Sequence, residues 1–139
     1  MTKRKARSRW KAAIRKWQNT LLLGGYALTL IYDKPKEGVS ELPSGGWQWV
    51  ASTETKPMYL QARITVSDDF LKDATVEEIN VKAAHELTHV LLGQYDDLTK
   101  TLIEELPKAK REGYWDWRHR VVEFTTTHVA RVAGSKGGS

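Results

Sequence analysis

The stretch His85-Glu86-Leu87-Thr88-His89 sets two imidazoles four residues apart, with a carboxylate directly after the first. On a helix, such positions lie one turn above each other on the same face. Both imidazoles can then reach one metal ion, and zinc suits these donors. Glu86 stands close enough to take a proton from a water that the metal polarises. This is the H-E-x-x-H arrangement, and its implied chemistry is zinc-assisted hydrolysis, of peptide bonds above all.

A catalytic zinc commonly takes three protein ligands and leaves a fourth position open. The chain has no cysteine, so the third ligand must be a histidine or a carboxylate. Six residues beyond His89 stands Tyr95, and four beyond stands Gly93, so neither close-spaced third histidine is present. The remaining candidates are Glu104, Glu105, Glu112, Asp116, His119, Glu123 and His128. Glu123 is favoured because Val121, Val122 and Phe124 surround it. A carboxylate among apolar residues is costly to bury unless it is paired or metal-bound. The competing reading makes Glu123 a solvent-facing residue paired with Arg120 or His119.

These residues need a scaffold, and the pattern around them supplies one. Thr75-x-x-Glu78 is a capping box, and Val76, Ile79, Ala83, Leu87, Val90 and Leu91 follow at helical spacing. The motif therefore falls inside a helix, which Gly93 is placed to end. A short helix is expected over about 97–106, stopped by Pro107, then a charged turn over 108–113. A last helix over about 114–133 carries Glu123, and the Gly/Ser-rich residues 134–139 read as a flexible tail. Near the start, Trp10, Ala13, Ile14, Trp17 and Leu21 mark an amphipathic helix over roughly 8–22, capped by Gly24 and Gly25. Strands are expected at 26–32, 47–52 and 59–67, joined by turn-rich segments as an antiparallel meander. In the last of them Leu60, Ala62, Ile64 and Val66 alternate with polar or aromatic residues, the period of a half-buried strand. The fold class is α+β, as a single domain over 1–133 with a basic arm at 1–9.

The 139 residues suffice for one core. Of the 22 lysines and arginines, eight fall between Lys3 and Lys16, and the rest of the chain is mildly acidic. Residues 3–16 could bind nucleic acid, or simply form the solvated end of a helix. The absence of cysteine fits a reducing cytoplasm. The apolar run 21–32 is too short to span a bilayer and is broken by two glycines, so no membrane association is expected.

An amphipathic N-terminal helix, a three-stranded sheet, the strand Ala62-Arg63-Ile64-Thr65-Val66 before HELTHVLLG, and a later helix with a glutamate together resemble the minimal gluzincin metallopeptidases. Small phage and bacterial zinc peptidases and the ImmA/IrrE-type peptidases share this ligand logic. The resemblance covers about residues 45–133, and its specific motif is HELTH. It implies a zincin-like fold, with a mostly antiparallel sheet. It implies zinc on His85, His89 and Glu123, Glu86 as general base, and a protein or peptide substrate. It also implies that strand 60–67 is the edge along which an extended substrate pairs, near Ala62 and Ile64. Where such enzymes often carry an aspartate four residues after the ligand glutamate, this chain has Thr127. Asp96 and Asp97 are then candidates to support a ligating histidine, and Tyr95, Tyr114, His119 and His128 to steady an oxyanion. The alternative function is a nucleic-acid-associated protein in which a zinc site is subsidiary.

Overall fold

A computed structural model of the chain describes residues 2–33 and 50–136. Helix α1 spans Lys3–Thr20, strand β1 Ala27–Asp33, β2 Ala51–Lys56 and β3 Gln61–Ser67. Helix α2 follows at once over Asp68–Asp73, then α3 over Val76–Glu104 and α4 over Lys108–Lys136. The class is α+β. Residues 47–49 of the expected second strand lie outside the described residues. Among the described residues, no helix is long and apolar enough to cross a membrane.

The sheet corrects the expected meander. Its order is β1-β3-β2, with β1 parallel to β3 and β2 antiparallel to it. The sheet is mixed rather than mostly antiparallel, and β3 is its central strand. The polar run Ser52-Thr53-Glu54-Thr55 forms most of β2, because its β-branched threonines face inward while Ser52 and Glu54 face out. Ala62, Ile64 and Val66 of β3 point to the helix-covered face and are buried, whereas Gln61 and Arg63 are exposed. The core forms where these three meet Trp10 and Ile14 of α1 and Ile79, Ala83, Leu87 and Val90 of α3.

The supposed arm is the first half of α1. Thr2 caps it by accepting from the Lys5 N–H, and Ala6, Trp10, Ile14 and Trp17 form one buried stripe. Trp17 Nε1 donates to Asn80 Oδ1 of α3 at 2.7 Å in the interior. Arg7 grips Asp68, the first residue of α2, through Nε at 2.9 Å and Nη2 at 2.7 Å. Gly24 and Gly25 do not cap α1. Leu22 takes the left-handed conformation at φ 57°, while Leu22 N bonds Asn19 O and Leu23 N bonds Gln18 O, a Schellman closure.

Gly93 does not end its helix either. Helix α3 passes through it and absorbs the separate short helix expected at 97–106. A Cβ at Gly93 would lie 3.0 Å from Thr55 Oγ1 and 3.1 Å from Pro57 Cγ, so the glycine lets α3 approach the end of β2. Helix α4 begins directly after Pro107, replacing the expected turn at 108–113, and its backbone continues through 134–136 of the expected tail.

Candidate metal centre

Helices α3 and α4 pack side by side as a hairpin, and the candidate site lies between them. Thr75 caps the start of α3 by accepting from Glu78 N at 3.1 Å. Ile79, Ala83, Leu87 and Val90 turn one side of α3 into the core, and His85 and His89 share the face toward α4, their rings 5.1 Å apart. From α4, Glu123 inserts its carboxylate between them. Oε2 stands 3.9 Å from His85 Nε2, and Oε1 stands 3.8 Å from His89 Nε2. One ligand atom from each of the three lies within 4.8 Å of the other two.

No hydrogen bond accounts for this arrangement. The gaps exceed hydrogen-bond length. Burial, aided by the charges of Lys82 and His89, holds the His85 imidazole down to about 4, so the ring is neutral at neutral pH. A neutral ring offers a lone pair, and here two rings and a carboxylate converge without bonding one another. Ligands held at about 2.0–2.1 Å around a tetrahedral zinc stand roughly 3.4 Å apart. The observed separations of 3.8 and 3.9 Å close to that with small side-chain rotations. The donor set fits a divalent ion of intermediate softness, zinc among them.

Glu86 lies against β2 and still feels the charge of Glu123 across the site. It is 2% exposed and accepts a hydrogen bond from Thr53 Oγ1 of β2 at 2.9 Å on Oε2. Burial pushes its carboxyl up from the ordinary value, while Lys82, His89 and the Thr53 hydroxyl pull the other way. The result is a buried carboxyl beside the two histidines, hydrogen-bonded to β2. Thr53 carries no sequence signal for this role, because the contact spans 33 residues.

The other expectations divide. Among the described residues, the metal-capable group contains Glu123 and none of the other six candidates for third ligand. Arg120 pairs with Asp116 at 3.1 Å, not with Glu123. Asp96 does not support a histidine. It receives Nε and Nη2 of Arg118 at 2.6 and 2.7 Å and clamps the two helices together. His128 stacks on Phe124, with centroids 6.1 Å apart. Ala62 and Ile64 cannot pair with a substrate, because β3 is hydrogen-bonded on both sides and both side chains are buried. Among the described residues, β2 has a strand partner on one side only.

No protein-family model matches the chain, and neither a curated protein nor a solved structure is significantly similar to it.

Proposed function

We propose that the protein is a zinc-dependent peptidase of zincin-like design, with His85, His89 and Glu123 as metal ligands and Glu86 as general base. The observation that carries this reading is the convergence of the three donors with Glu86 buried one residue away. A zinc ion held there would polarise a substrate carbonyl and lower the pKa of water to about 7. Glu86 then takes the proton of the attacking water and delivers it to the leaving amine. Its raised carboxyl pKa suits both transfers. Thr53 holds the carboxylate in place through the 2.9 Å hydrogen bond. The substrate-pairing role assigned to β3 passes to β2, the strand that Glu86 touches, along which an extended peptide can add as a further strand.

Zinc content of the purified protein, measured together with hydrolysis of unfolded protein substrates, tests the proposal. The expected result is one zinc per chain, lost on substitution of His85 or Glu123. A chain that binds no zinc with these residues intact overturns it.

One observation favours a second reading. Arg4, Lys5, Arg9, Lys11, Arg15 and Lys16 are all exposed along α1, a cationic surface suited to phosphate. Trp10 and Trp17 are buried, so this binding would be electrostatic and without base stacking. Binding of duplex DNA that vanishes steeply with salt supports it, and absence of binding at low salt removes it.

A further inference from the structure

Beyond Gly93, α3 leaves the core. From 94 to 102 none of its residues is buried, and none of residues 108–125 of α4 is buried either. This part of the hairpin is nonetheless strongly apolar. Leu91, Tyr95, Leu98 and Leu102 recur along α3 at steps of four, three and four, and are 44–74% exposed. Tyr114, Trp117, Val121 and Phe124 recur along α4 at three, four and three, and are 44–73% exposed. Steps of three and four are the a/d spacing that seats one helix against another in a bundle. Within the hairpin Asp96 and Arg118 join the two helices instead. Tyr95 and Leu102 from one stripe and Tyr114, Trp117 and Val121 from the other border a shared groove of about 580 Å³.

We propose that this hairpin face pairs with the same face of a second copy, forming a four-helix bundle about a two-fold axis. Two features select a second copy as the occupant. The α3 stripe is mostly aliphatic and the α4 stripe mostly aromatic, so a two-fold axis running parallel to the helices sets the smaller side chains of each copy against the larger ones of the other. Such an interface is self-complementary. The exposed area also matches. With aromatic side chains of 150–250 Å² and smaller aliphatic ones, the two stripes present roughly 700 Å². A standard interface takes about 800 Å² from each partner. Isolated apolar patches on monomers seldom exceed about 600 Å². None of His85, His89 and Glu123 lines this groove, so pairing leaves the candidate ligands within their own chains.

Sedimentation equilibrium of the full chain across the micromolar range tests this. The expected species is a dimer, converted to monomer in the double variant Leu98→Glu/Trp117→Glu. Both side chains are more than half exposed, so helix content by circular dichroism should be unchanged. Should the glutamates unfold the hairpin, Leu98→Gln is read instead, for a rise in dissociation constant of about tenfold or more. A monomer at every concentration, an assembly larger than a dimer, or a dimer indifferent to these substitutions overturns the proposal.

Discussion

Glu86 is where the proposed chemistry is most exposed to test. Glu86→Gln keeps the shape and removes the base. Zinc content should be unchanged, because the ligands are other residues, while kcat falls by about 10²-fold or more. Zinc analysis beside single-turnover hydrolysis checks both halves. Thr53→Val is the finer probe. The Thr53 hydroxyl lowers the Glu86 pKa by hydrogen-bonding its carboxylate, so removing it raises that pKa. A base must be deprotonated to act, so the acidic limb of the kcat/KM profile should move to higher pH. An unmoved limb would mean that Glu86 is not the titrating base. The sequence singles out Glu123 on a premise the structure does not bear out. It reads as a carboxylate to be buried among Val121, Val122 and Phe124, yet its side chain is 44% exposed, and Val121 and Phe124 are exposed as well. Thr53 was not legible, since a threonine in a polar run looks the same whether or not a strand carries it to Glu86.

At the scale of elements, capping chemistry was readable and punctuation by glycine was not. The capping box at Thr75 marked the start of α3 correctly, because a cap is a contact between residues three apart. Gly93 was misread because a glycine that ends a helix and one that admits a neighbouring strand are the same letter. Sheet order was equally hidden. Whether β3 pairs with β1, β2 or both depends on contacts distant in sequence, and local alternation reports only which face is buried. Gly93→Ala separates the two roles. Alanine favours an interior helical position by about 1 kcal/mol. Here its methyl would press on the stiff Pro57 ring and the strand-held Thr55, and overpacking of this kind costs typically 1–3 kcal/mol. The expected outcome is a net loss of about 1 kcal/mol in urea denaturation. A stabilised variant would show that α3 and β2 can separate at no cost.

Across the whole molecule, two arginine–carboxylate clamps join elements distant in sequence. Arg7–Asp68 ties α1 to α2, and Arg118–Asp96 ties α3 to α4 beside the candidate site. The first was hidden from sequence reading because the basic residues at the start suggested a free arm, and only the buried Ala6 and Trp10 show why that segment is docked. The hydrogen bonds from Arg7, opposed by partial burial and reinforced by the charges of Arg7 and Lys3, hold the Asp68 carboxyl below its ordinary value of 3.8. Burial pushes Asp96 up, but the Arg118 hydrogen bonds and the charges of Arg118 and Lys100 outweigh it, and its carboxyl is also held below 3.8. A carboxylate with a depressed native pKa contributes stability that is complete above its unfolded value and lost as pH falls through the native one. Both clamps should therefore weaken below about pH 3.8. Asp68→Asn removes the charge at every pH. Its melting temperature should lie below that of the unsubstituted chain at neutral pH and converge with it in acid, once the native carboxyl is protonated. The comparison belongs on chelator-treated protein, because acid would also release any metal held by histidines and a carboxylate, which would lower both curves. A gap between the two chains that stays constant from neutral pH into acid would show that the Arg7 pair contributes through packing of its side chains rather than through charge.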